Sequence, residues 1–155
     1  MKLRAHGMAV ERKPGWEVRI GRRSADGGEP GGRPRPVLHA ATVPLPETRG
    51  DFGGGVTPLL TSDDVFVCLF EYEPEAVGTP LFATKGRPSV RPADFSPAQL
   101  QRTIPGQSGM QYFFSEGDRA FCLYVVLGSH ARRAALVRKV NDVLATLDLD
   151  AGARS

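Results

Sequence analysis

The stretch MQYFFSEGDRAFCLYVVL, residues 110–127, reads as two strands folded against each other. Gly117-Asp118 lies between two aromatic-rich runs, and Gly at the first central position suits a two-residue hairpin turn. That turn sets a register: Glu116 opposite Arg119, Phe114 opposite Phe121, Phe113 opposite Cys122 and Tyr112 opposite Leu123. One face then carries Met110, Tyr112, Phe114, Phe121, Leu123, Val125 and Leu127. The other carries Phe113, Cys122, Tyr124 and Val126. Both faces are apolar, so these strands belong inside a sheet covered on both sides.

Working outward, VFVCLFEY at residues 65–72 has the same double-faced character. Val65, Val67 and Leu69 point one way, and Phe66, Cys68, Phe70 and Tyr72 the other. Trp16 to Ile20 alternates strictly, which predicts a strand with one wet face. The Lys13-Pro14-Gly15-Trp16 run before it suits a type II turn. Val37 to Leu45 reads as another strand. Residues 2–12 alternate loosely, with a phase shift at Gly7 that reads as a bulge. Ser96 to Arg102 predicts a short helix, with Ser as cap and Pro97 in the first helical position. After the hairpin, Leu136, Val140, Val143, Leu144 and Leu147 form one helical stripe. Ser129 is placed to cap that helix at a start near His130. The expected fold is α+β. It is a mainly antiparallel sheet of about five or six strands, with a C-terminal amphipathic helix on one face and irregular or short-helical cover on the other.

A chain of 155 residues favours one domain, here 1–148, with 149–155 a polar, disordered tail. Residues 21–36 (GRRSADGGEPGGRPRP) have no apolar content apart from one Ala and read as a flexible loop, and 46–58 as a second Gly/Pro loop. Residues 74–97 are irregular, with five prolines. The last helix can cover one sheet face only. Each large apolar side chain left in water forgoes about 1.5–3 kcal/mol, so the second face needs cover. Residues 74–104 or a second chain are the expected sources.

Several function classes are excluded. No run approaches the ~20 apolar residues of a membrane-spanning helix. Cys68 and Cys122 sit in apolar runs, and with only three histidines no zinc-ligand spacing occurs, so no metal or cofactor is expected. Asp51-Phe52-Gly53 lacks the rest of a kinase, and Gly53-Gly54-Gly55 lacks the Lys-Ser/Thr of a phosphate loop. The net charge is +3. Residues 1–36 hold nine basic and four acidic side chains, a balance of +5. Nucleic-acid binding is nonetheless not expected, because the aromatics fall in the sheet rather than among the basic residues. The N-terminal Met-Lys-Leu-Arg-Ala-His-Gly lacks a signal peptide's apolar core, so the expected location is cytoplasmic. Sixteen Arg against four Lys, with abundant Gly and Pro, suggest a GC-rich bacterial genome.

Pro14-Gly15-Trp16 at the opening of a second strand, with a hairpin and helix over residues 110–147, resembles the Mog1/PsbP-like fold group. Members include photosystem accessory subunits, a Ran-GTPase binder and actinobacterial lipoproteins. The resemblance implies a mainly non-enzymatic role in binding. Two functional readings follow. The first is a non-catalytic module for protein interaction or self-assembly, its partner surface drawn from Phe113, Tyr124, Val126 or the segment 74–104. The alternative is an anion or small-molecule binding protein, enzymes included, that uses His130, Arg132 and Arg133. Two arginines in a first helical turn oppose the helix dipole, and a bound anion would relieve this. If both arginines point into water the opposition costs only ~0.3–1 kcal/mol.

Overall fold

A computed structural model describes residues 2–23, 35–47, 49–50, 52–86 and 89–149. Among these residues, seven strands and one α-helix follow in order, with short 3-10 turns between: β1 (Lys2–Ala5), β2 (Met8–Glu11), β3 (Glu17–Arg23), β4 (Arg35–Ala41), β5 (Val65–Glu71), β6 (Ser108–Glu116), β7 (Arg119–Leu127) and α1 (Arg133–Leu144). β3-β4-β5-β7-β6 form one antiparallel sheet, and β1-β2 form a separate hairpin. The architecture is α+β, as expected.

The β6–β7 register is the one read from the sequence, including Glu116↔Arg119 and Phe113↔Cys122, with Gly117 at φ +62° in the turn. Gly7 differs from expectation. It is the second turn residue of the β1-β2 hairpin, with His6 and Gly7 both at positive φ, the signature of a type I′ turn rather than a bulge. The strand expected over Val37–Leu45 runs instead over Arg35–Ala41. Part of the expected loop 21–36 is strand, because β3 extends to Arg23 and β4 begins at Arg35. The rest of it, 24–34, lies outside the described residues. The short helix near Ser96 is a single 3-10 turn, Pro97–Gln99, with Ser96 Oγ accepting from the Ala98 N–H at 3.1 Å.

The helix-side core joins Val18, Leu38, Val67, Leu123 and Val125 of the sheet to Leu136, Val140 and Val143 of α1. Met8 and Val10 of the hairpin complete it. Asp148 and Leu149 join this layer too: Ala9 and Asp148 exchange backbone hydrogen bonds at 2.8 Å, and Leu149 is buried. The expected tail therefore does not begin at 149, and 150–155 lie outside the described residues.

The second face departs most from expectation. Phe66, Cys68, Tyr124 and Val126 are covered by Leu45, Phe52, Val56 and Leu60 of the segment after β4, with Leu100 at its side. A smaller cluster around Phe82 covers Ala120, Tyr72 and Phe113. The Gly/Pro loop thus supplies most of the cover, and no second chain is required for it. Gly53 makes this possible. Its φ is +75°, and a Cβ there would lie 2.3 Å from the Phe66 ring, so only Gly lets the loop lie flat. Among the described residues no helix is long and apolar enough to cross a membrane.

Candidate protein-binding edge

β3 and β6 are the two edges of the main sheet. An exposed sheet edge is a row of unpaired donors and acceptors, and proteins block such rows. β6 is blocked at both ends by a strap whose described residues are 84–86 and 89–96. Near its start, Gly109 and Ser96 exchange N–H···O=C bonds at 3.1 and 3.0 Å. Near its end, the Ser115 N–H donates to the Thr84 carbonyl at 2.8 Å and the Ser115 carbonyl accepts from Gly86 at 2.8 Å.

The middle is open. In an antiparallel strand the backbone groups of alternate residues point the same way. The β6–β7 pairing is continuous from Ser108 to Glu116. Since Gly109 and Ser115 bond outward, Gln111 and Phe113 present their N–H and C=O groups outward as well. Those groups have no hydrogen-bond partner among the described residues. The gap between the two blocked positions spans about 20 Å, enough for four or five extended residues.

The strap forms the outer wall of this gap. A cleft of about 300 Å³ lies between Ser89, Arg91 and Asp94 on the strap and Met110, Gln111 and Tyr112 on β6. Asn141 of α1 holds the strap in place: its Oδ1 accepts from the Val90 N–H at 2.9 Å, and its Nδ2 donates to the Val90 carbonyl at 2.8 Å. Arg91 and Asp94 pair with each other at 3.3 Å, and the Asp94 carboxylate also accepts from the Arg91 N–H at 2.9 Å. The cleft therefore has a firm polar rim beside a half-buried Tyr112.

The residues singled out from the sequence fall in different places. Phe113 is half-buried at this edge, its ring edge-on to Phe82 at 5.7 Å between centroids. Tyr124 and Val126 are buried, and this corrects their assignment to a partner surface. The Phe52 and Leu100 side chains pack over them, and the Tyr124 hydroxyl accepts from the Gln101 N–H at 2.7 Å. Burial raises the Tyr124 phenol above its ordinary pKa, against the opposing Gln101 hydrogen bond.

His130, Arg132 and Arg133 do come together where β7 runs into α1; both arginines are engaged within the chain, while His130 is held by its main chain and its buried imidazole Nδ1 has no hydrogen-bond partner among the described residues. Arg132 pairs with Asp63, and Arg133 Nη1 donates to the His130 carbonyl at 2.9 Å. The His130 N–H donates to the Gly106 carbonyl at 2.7 Å. Ser129 Oγ accepts from the Arg132 N–H at 3.3 Å, which begins the helix at Arg133 rather than near His130. Asp63 supplies a counter-charge to Arg132.

Sequence reading missed the open middle of β6. Its one local sign is Gln111, a polar residue between Met110 and Tyr112 and opposite the buried Tyr124. Comparison of the chain with protein-family models, curated proteins and solved structures gives no match.

Proposed function

We propose that this chain is a non-catalytic binding module that takes an extended segment of a protein partner as an added strand along the middle of β6. The supporting observation is the pair of outward N–H and C=O groups on Gln111 and Phe113, framed by the bridges at Gly109 and Ser115. Strand addition draws affinity from such main-chain groups and specificity from neighbouring side-chain pockets. Here the cleft beside Tyr112 and the Arg91–Asp94 rim would supply the second part. The resemblance to the Mog1/PsbP-like group, which implies a mainly non-enzymatic role in binding, points the same way.

Gln111→Pro tests this directly. The Gln111 N–H faces away from β7, so proline there removes an outward donor without breaking the β6–β7 ladder. Extended peptides selected against the folded protein are expected to perturb the Gln111 and Phe113 amide resonances. They should bind Gln111→Pro about tenfold or more weakly, since one hydrogen bond and the close approach are lost. Selected peptides that map to another surface, or that bind Gln111→Pro unchanged, would overturn the reading. A dimer formed through β6 would assign the added strand to a second copy of the chain.

A further inference from the structure

We propose that Trp16, with Arg12 and Arg19, forms a surface site for an aromatic anion of the nucleoside phosphate class. The site lies at the opposite edge of the sheet from β6. The turn between β2 and β3 builds it. The Trp16 N–H donates to the Lys13 carbonyl at 3.1 Å and Gly15 sits at φ +84°, so the chain reverses within four residues. Arg12 is thereby brought back beside the start of β3.

Trp16 is held from behind by the helix-side core and stays partly exposed. A cleft of about 290 Å³ on one side of it is lined by Arg12, Glu17, Val18 and Arg19. A second cleft of about 230 Å³ is lined by Gly15, Thr42, Val43 and Pro44, again with Trp16 and Glu17. Both clefts are shallow and open to solvent, so a ligand there would lie against the Trp16 ring rather than inside an enclosed pocket. Glu17 is the acidic group in both clefts, and its Oε1 already accepts from Arg19 at 3.0 Å and from the Leu45 N–H at 3.2 Å. Arg12 is exposed and makes no ion pair with another described residue.

The wider charge agrees. Residues 1–23 carry seven basic side chains against Glu11 and Glu17, so the whole N-terminal excess of +5 lies on β1, β2, β3 and their turns. A flat aromatic group can stack on an indole at about 1–3 kcal/mol per base, and a guanidinium is the natural partner for a phosphate. This aromatic stands among the cations, whereas sequence reading had placed the aromatics in the sheet.

Trp16 is the single tryptophan, so its emission reports on its own site. The full chain is titrated with adenosine monophosphate and diphosphate, a short single-stranded oligonucleotide, adenosine and inorganic pyrophosphate, with calorimetry alongside. Saturable quenching by the nucleotides is expected, with adenosine and pyrophosphate each about tenfold weaker or more. Arg12→Ala is expected to weaken nucleotide binding about tenfold and reduce its salt dependence. Tighter binding of the oligonucleotide would support the site and assign the ligand to a strand end or chain. No quenching by any nucleotide at millimolar concentration would overturn the proposal. So would pyrophosphate binding as tightly as the nucleotides, or unchanged affinity in Arg12→Ala.

Discussion

The Arg119 guanidinium grips the Glu71 carboxylate with two hydrogen bonds, Nε to Oε2 at 3.0 Å and Nη2 to Oε1 at 2.7 Å. Its remaining nitrogen reaches the carbonyls of Gly7 and Leu149. One side chain thus ties the start of β7 to β5, to the β1-β2 turn and to Leu149 after α1. Both partners are mostly buried, at 17% and 16% side-chain exposure, so loss of one leaves a poorly solvated charge. Arg119→Met is expected to cost about 2–4 kcal/mol in urea unfolding. The double substitution with Glu71→Met should recover part of that loss. A cost indistinguishable from zero would contradict the role given to Arg119.

Gly128 is required by contact rather than by backbone angle. A Cβ there would lie 1.8 Å from the Thr61 carbonyl oxygen and 3.0 Å from that of Asp64. Both are backbone atoms that cannot rotate away. Gly128→Ala is expected to cost about 2 kcal/mol or more, at the upper end of overpacking penalties. By contrast, Gly15→Ala has open space around it and carries only the strain of φ +84°. Thermal unfolding of the two variants should rank them in that order.

Asp64 gives the acid side of the stability profile. Burial alone would raise its carboxyl pKa, but hydrogen bonds from the Thr61 N–H, Thr61 Oγ1 and Thr42 Oγ1 outweigh this and hold it below the ordinary 3.8. A depressed folded pKa adds stability above the unfolded value, and that stability is lost as pH falls through the folded value. The wild-type chain should therefore lose stability below about pH 4, and Asp64→Asn should flatten that part of the curve. An unchanged acid limb in Asp64→Asn would contradict this.

The alkaline side rests on Cys122 and Tyr72. Burial pushes the Cys122 thiol from 9.0 up to about 12, and burial chiefly raises Tyr72 from 10.0 to about 12. The folded state keeps protons that the unfolded state releases, so stability falls as pH rises above about 9. The Cys122 thiol should accordingly resist thiol reagents at pH 8 until the chain is unfolded in denaturant. Rapid labelling of the native protein at Cys122 would contradict the packing.

The β6–β7 hairpin was legible because two apolar, aromatic-rich runs flank a Gly-Asp turn, and a two-residue turn leaves one register. The cover of the second face was not. Leu45, Phe52, Val56 and Leu60 follow no period, and they sit among glycines and prolines that read as loop. Tyr124 and Val126 looked available for that reason alone. The openness of β6 was hidden at a different level. It depends on where Ser96, Thr84 and Gly86 place their backbone groups, which no side-chain pattern encodes. Arg132 and Arg133 read as a pair whose charge an anion would answer, but Asp63, about seventy positions away in the chain, is what answers Arg132.

Hydrogen exchange along β6, residue by residue in the free protein, tests the central claim most directly. The amides of Met110, Tyr112 and Phe114 point toward β7 and should be strongly protected, whereas those of Gln111 and Phe113 should exchange quickly. Gly109 and Ser115, bonded to the strap, should be slower than those two. Uniform protection from Gly109 to Ser115 would mean the edge is already filled and would contradict strand addition at β6.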